Sequence, residues 1–364
     1  MGTFALERAY YHCRSCGKGT VPWDEVLDLS RQALTPGASE VICVAGAVDS
    51  FGEAAKVVLK KLAGLRVSES TAQRTSEAVG HDIGTHLAAG ATFGAAESWA
   101  WHKDAEGKTV AYISADSTGV GQQGPGGAKA DGRMANVAVF YNPVPESRAG
   151  WSDPSAARRP AWQARYVASL DSFAELGTQL RRQGAQIGMN EAERWIAISD
   201  GGNGLEDFLR MNFPRVEAVI LDFYHAAEHL GNLAKVWHPR EEAAAAELHE
   251  RWCHQLKHEG GAALLATLRT LTLRGRSPAA RQVYENELRY FENQLHRMDY
   301  PTYQAKGWQI GSGPVESACK RVVGQRLKGA GMRWSADGAN GVCQLRALFL
   351  SESSLWAAFW NYAA

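Results

Sequence analysis

Apolar positions recur at helical spacing over residues 51–62, where Ala54, Ala55, Val58, Leu59 and Leu62 share a face. Ala63-Gly64-Leu65 interrupts the pattern. Val67-Ser68-Glu69-Ser70-Thr71 then opens a second helix, with Ser68 or Ser70 as its N-cap. Helix, glycine-containing turn and capped helix is the order of a helix-turn-helix, and also of an ordinary helical hairpin. The period then changes. Residues 109–118 read as a buried strand ending in an acid, and residues 135–141, 164–170, 194–199 and 216–221 read as four further strands. Residues 121–131 read as a glycine-rich connection without the spacing of a phosphate loop, and residues 142–161 as a Pro/Arg-containing loop. Helices are predicted at 172–183, 203–212 and 225–236.

A strand meander followed by alternating helices and strands predicts an α/β fold with a mixed five-stranded sheet flanked by helices. The stretch up to residue 305 is rich in Ala, Glu, Leu, Arg and His, which predicts an all-helical insertion. The expected organisation is a knuckle region at 1–35 and a helical DNA-binding region at 36–100. A sheet-bearing core follows at 105–236, then the insertion at 237–305 and a C-terminal helical part of the core at 306–364.

Charge changes this picture only locally. The 39 basic and 39 acidic residues balance, which argues against a simple basic DNA-coating protein. Yet Lys56, Lys60, Lys61, Arg66 and Arg74 face only Glu69 in their segment. Lys306, Lys320, Arg321, Arg326, Lys328, Arg333 and Arg346 face only Glu316 and Asp337 in theirs. Such clusters suit phosphate contacts. Lys60, Lys61, Arg66, Arg74, Lys320, Arg326, Lys328 and Arg333 are the candidates for binding DNA. Trp308, Trp334 and Arg333 can stack on bases, or the tryptophans can belong to the core. Six cysteines in a chain of 364 residues are no disulfide framework. No long apolar run or signal-peptide pattern is seen. A cytoplasmic, nucleoid-associated protein without a membrane partner is therefore expected.

The chemistry lies in scattered acids. Asp116 and Asp200 stand at predicted strand ends and Glu316 at a helix start, behind Gly311-Ser312-Gly313-Pro314. Three acids converging from different elements can hold Mg²⁺ or Mn²⁺, which take oxygen ligands, and two such ions can hold both reacting oxygens of a phosphodiester in line. Asp222 competes with Asp200 for the second position. His225 and His229 lie one turn apart, so with Asp222 they can bind a transition metal or simply pack. Near the N-terminus, His12-Cys13-x-x-Cys16-Gly17 bends two thiols together. It is a candidate for Zn²⁺ with His12 as a third ligand, or a reduced pair in a tight turn.

Five stretches carry a resemblance. Gly311-Ser312-Gly313-Pro314-Val315-Glu316-Ser317 with Arg326-Leu327-Lys328-Gly329-Ala330-Gly331-Met332-Arg333-Trp334-Ser335 resembles the signature of ISKra-type insertion-sequence transposases. Leu221-Asp222-Phe223-Tyr224-His225-Ala226-Ala227-Glu228-His229-Leu230 resembles that family's fifth-strand motif. Tyr10-Tyr11-His12-Cys13-x-x-Cys16-Gly17 and Val67-Ser68-x-Ser70-Thr71-x-x-Arg74 are similar as well. The likeness covers most of the chain. The region ahead of the knuckle is short for that family, and the connection after Asp116 is short and glycine-rich.

The resemblance implies a ribonuclease-H-like core and a DDE triad of Asp116, Asp200 and Glu316. It also implies metal-dependent cleavage and strand transfer on double-stranded DNA, at element ends and target, by several copies of the chain. Asp222 and His225 are similar to the (Cys/Asp)-x-x-His element of Mutator-like transposases, which implies a supporting role. The alternatives are a transposase-derived DNA-binding protein without catalysis and a ribonuclease-H-like nuclease without strand transfer.

Overall fold

Strands that alternate between two apolar faces need cover on both sides, and helices supply it here. The computed structural model describes residues 7–26, 34–143, 163–202 and 204–363. The predicted loop at 142–161 falls almost wholly outside them, as does Asn203 at the expected helix start.

A small hairpin, β1 (Tyr11–His12) and β2 (Gly19–Thr20), comes first, followed by α1 (Pro22–Val26). Next are α2 (Pro36–Val48), α3 (Phe51–Glu53), a π-helical stretch Ala54–Leu62, and α4 (Glu69–Ala89). The predicted helix pair is present, but its first member is mostly π-helical. Ile42, Ala45, Ala54, Leu59 and Ala72 join these helices in one apolar cluster. Ser68 is the N-cap of α4, its hydroxyl accepting from Thr71 N at 3.1 Å.

The main sheet contains β3 (Val110–Gln123), β4 (Lys129–Asn142), β5 (Gln163–Ser169), β6 (Arg194–Ser199) and β7 (Val216–Leu221), in the order β5-β4-β3-β6-β7. Only β4 runs against the others, since β3–β4 and β4–β5 are antiparallel while β3–β6 and β6–β7 are parallel. One face carries Val110, Tyr112, Ile196, Ile198 and Ile220 in the larger core. The other carries Ala111, Ile113, Ala115, Ala197 and Val219 in a second core.

α5 (Phe173–Gln186) and α6 (Leu205–Asn212) cover the second face. The first lies under α7 (Phe223–Trp237), α8 (Glu242–Arg269), α9 (Pro278–Gln294), α10 (Tyr300–Ala305), α11 (Gly313–Ala318) and a π-helical turn Cys319–Gly324. The chain ends with α12 (Gln325–Leu327), α13 (Ala336–Leu350) and α14 (Ser353–Ala363). The stretch predicted as all-helical thus folds as α8, α9 and α10.

Two sequence expectations need correction. The first strand does not end near Asp116, and residues 121–131 are not merely a connection. β3 and β4 continue as a two-stranded ribbon past the rest of the sheet, and the turn shrinks to a short 3-10 segment, Pro125–Gly127. Glycines discourage a strand by propensity, but ladder pairing to one neighbour overrides this. Gly126 and Gly127 adopt positive φ at the tip, where glycine is the residue that fits without strain.

α4 also packs along α13. A Cβ on Gly80 would lie 2.0 Å from the Gly341 carbonyl oxygen, so the two backbones are in direct contact. Among the described residues, no helix is long and apolar enough to cross a membrane.

Candidate active site

The ladder places the acids. Each β3 residue faces the residue 84 positions later in β6, as Ser114 faces Ile198. Asp116 and Asp200 keep that separation two residues past the last pair, Ser114 and Ile198, and the Asp200 charge acts on the Asp116 carboxyl. Side chains alternate faces along a strand, so both point to the side of Ile196 and Ile198. The β6–β7 register, with Ser199 opposite Leu221, adds Asp222 as the third member of the row. Asp222 N donates to Ser199 O at 2.9 Å.

The three aspartates differ in what they already hold. Asp222 is 7% exposed and caps α7, its Oδ1 accepting from Tyr224 N at 3.0 Å. It also accepts from Ser312 N at 3.1 Å and from Ser312 Oγ at 2.5 Å. Asp200 is half-buried, and its Oδ1 accepts from Gly202 N at 2.9 Å. Asp116 accepts from Ser117 N at 2.6 Å and from the Cys319 thiol at 3.6 Å. Burial first, and the charge of Asp200 second, push the Asp116 carboxyl above its ordinary pKa. The Ser117 amide, the Cys319 thiol and His225 pull it back.

Glu316 lies on α11, which packs on β3 and β4. Ser312, Glu316 and Cys319 stand at i, i+4 and i+7, one stripe of a helix. The stripe's two ends bond to Asp222 and to Asp116. Glu316 lies between them and is exposed. The helix turns π-helical at Cys319, a distortion that often marks functional positions.

Among the described residues, no group of three or more His, Cys, Asp or Glu side chains is gathered around one point that could hold an ion. What stands ready is the Asp116–Asp200 pair. Two carboxylates supplemented by water and phosphate oxygens suffice for Mg²⁺, so the oxygen donors fit that ion. One unfavourably buried carboxylate beside another also leaves negative charge for a cation to neutralise.

α7 brings His225 and His229 alongside, ring centroids 4.9 Å apart. His229 Nδ1 is 2.6 Å from Glu287 Oε2, and its ring stacks on Tyr290 at 3.8 Å. This pair is engaged in packing and hydrogen bonding. The composition of the helical segment also concealed Arg297. It is 1% exposed and donates to Val219 O, Ser199 O, Ser199 Oγ and Asp200 O at 3.1, 3.0, 2.8 and 3.2 Å. Its guanidinium thereby caps the ends of β6 and β7. Arg297, Tyr290, Glu287 and Cys319 all escaped the sequence reading, because nothing local distinguishes them from surface or core residues of a helix.

The basic candidates divide. Lys60, Lys61, Arg66, Arg74, Lys320, Lys328 and Arg333 are exposed, and Lys328 Nζ bonds Thr118 Oγ1 beside the row. Arg326 corrects the expectation of a phosphate contact. It is 2% exposed, donates from Nε to Gly46 O at 2.8 Å and lies over the Phe51 and Trp334 rings at 4.3 and 5.0 Å. Burial, with Arg346 nearby, lowers its pKa to about 10. Trp308 and Trp334 are buried, bonding Asp104 and the Leu327 carbonyl, so they belong to the core rather than to a stacking platform.

Cys13 and Cys16 sit exposed in the β1–β2 turn, where Cys13 N donates to Lys18 O at 2.8 Å and Gly17 N to Cys13 O at 2.9 Å. Hydrogen bonds from Ser15 and from Cys16 lower the Cys13 pKa to about 6. The hairpin supplies two thiols, and His12 adds no three-ligand group among the described residues. Comparison with known protein families found no matching family, and no curated protein matches the sequence.

Proposed function

We propose that the chain is a DDE-type transposase that cleaves DNA and transfers strands, with Asp116, Asp200 and Glu316 as its acids. The observation that carries this reading is the row itself: Asp116 and Asp200 just past the last β3–β6 pair, the charge of one acting on the other, with Glu316 on a helix stripe whose ends bond Asp222 and Asp116. A five-stranded order in which only the second strand runs against the rest is that of a ribonuclease-H-like core, and it supports the fold the sequence resemblance implies. The helical segment α8–α10 is read as an insertion in that core.

The division among the acids favours Asp200 over Asp222 as the second acid. Three hydrogen bonds already bind Asp222 to Tyr224 and Ser312, which suits a residue that anchors α11. Asp116, Asp200 and Glu316 would hold Mg²⁺ or Mn²⁺, as two ions, whose charge would lower the cost of charge developing on phosphoryl oxygens. Arg297 fixes the backbone that presents Asp200, and Cys319 holds one Asp116 oxygen. Lys320, Lys328 and Arg333 bind phosphates near the row, with Lys60, Lys61, Arg66 and Arg74 on the α3–α4 region contacting further duplex. The partners are element ends and target DNA, bound by several copies of the chain in the bacterial cytoplasm. A Zn²⁺ site at Cys13 and Cys16 belongs to the same reading.

Cleavage of end-containing DNA with Mg²⁺ or Mn²⁺ is the test. Asp116→Ala, Asp200→Ala and Glu316→Ala should each abolish product while DNA binding persists. Strand-transfer products separate a transposase from a nuclease. Cleavage that survives both Asp116→Ala and Glu316→Ala would sink the triad.

A further inference from the structure

Tyr290 lies in α9, far along the chain from the strands, yet its ring covers the turn that follows β6. A Cβ on Gly201 would lie 2.5 Å from Tyr290 Cε2 and 2.7 Å from its hydroxyl oxygen, so a glycine is what lets the ring approach. The ring cannot easily swing away. Its face stacks on His229 with centroids 3.8 Å apart and planes at 15°, and His229 is held by Glu287 at 2.6 Å.

The hydroxyl is buried and has no hydrogen-bond partner among the described residues. A buried donor left unmade is costly, and native proteins keep few of them. A tyrosine hydroxyl is protonated at neutral pH and can donate. The acceptor with spare capacity at this turn is Asp200. Its Oδ1 takes the Gly202 amide, and its Oδ2 has no donor among the described residues.

We propose that Tyr290 is a positioning residue for Asp200: its hydroxyl, unpaired in the metal-free chain, donates to one carboxylate oxygen when a divalent cation binds the other. This rests on the reading of Asp200 as a metal-binding acid. Hydrogen bonds of this kind to a ligating carboxylate fix its orientation, and their loss typically weakens metal binding by about 10–100-fold. The helical segment then contributes to the site through two side chains. Arg297 holds the Asp200 backbone, and Tyr290 orients its carboxylate.

The test compares the full chain with Tyr290→Phe and Gly201→Ala. Binding of Mn²⁺ alone is read from the loss of the free-ion electron paramagnetic resonance signal, and stability from urea unfolding. Tyr290→Phe deletes only an unpaired hydroxyl, so it should fold at least as stably as the parent while binding Mn²⁺ about 10–100-fold more weakly. Gly201→Ala displaces the ring and should weaken Mn²⁺ binding likewise. Equal Mn²⁺ binding by parent and Tyr290→Phe would overturn the role of Tyr290 and leave the acid row standing. Loss of stability in Tyr290→Phe matching its loss of binding would make the residue merely structural and overturn the role too. A parent chain that binds no Mn²⁺, or binds it unchanged in Asp200→Ala, would overturn the metal reading itself.

Discussion

Asp116 and Asp222 stand at the two ends of one row of carboxylates, the first burdened by burial and the second held by hydrogen bonds. Asp116 has a raised pKa, caused mainly by burial, so its ionised form is less favourable folded than unfolded. The native state then holds its proton to higher pH, and stability declines as pH rises from the unfolded carboxyl pKa through the folded one. Asp116→Asn should therefore stabilise the metal-free chain at pH 7, with the gain shrinking as pH falls toward 4, as urea unfolding at several pH values will show. Asp222→Ala should do the reverse. It removes the α7 cap and leaves Ser312 unbonded, a loss of about 2–4 kcal/mol. Denaturation at neutral pH measures it. A fall no larger than that of Asp200→Ala would contradict the anchoring role.

The basic residues make a sharper contrast at the same scale. Neutralising Lys320, Lys328 or Arg333 should each reduce the slope of log affinity against log salt for DNA by about 1. Arg326→Gln should leave that slope alone and lower the melting temperature, because its partners are Gly46, Phe51 and Trp334. A sequence cannot separate these cations, since Arg326 and Lys328 are two positions apart in one basic run. The contact that buries Arg326 comes from a carbonyl 280 residues away.

Elements repeat this pattern of what a chain reveals about itself. β6 and β7 fall where their apolar runs predict, because strands buried on both faces have little freedom in composition. The Ser68 cap was legible for a similar reason, being a purely local hydrogen bond. The ribbon of β3 and β4 was not, since its glycines oppose the strand that pairing imposes. Nor were Cys319, Tyr290 and Arg297, whose partners are Asp116, His229 and the ends of β6 and β7. The contact of α4 with α13 gives a test at this scale. Gly80→Val must push a side chain into the Gly341 backbone, which costs about 1–3 kcal/mol or more. A thermal melt unchanged by that substitution would show that these helices do not meet.

For the whole molecule, the helical segment is more than an appendage. Arg297 donates to carbonyls of both β6 and β7, so the strand ends that present Asp200 and Asp222 depend on residues of a different layer. The N-terminal helices are likewise joined to the C-terminal ones through Arg326 and through the Gly80–Gly341 contact. If the proposed function holds, DNA held by the exposed lysines of one region is thereby mechanically continuous with the acid row.

The β3–β6 register carries an evolutionary corollary. What lies between the two acids along the chain includes the ribbon tip, the β4–β5 connection and α5, and none of these sets which residues of β3 and β6 face each other. Length changes at the ribbon tip, away from the buried Leu176 and Leu180 of α5, can leave both carboxylates in place while the spacing between them drifts. Within the six residues of β6 the tolerance vanishes, because one residue gained or lost turns Asp200 to the opposite face.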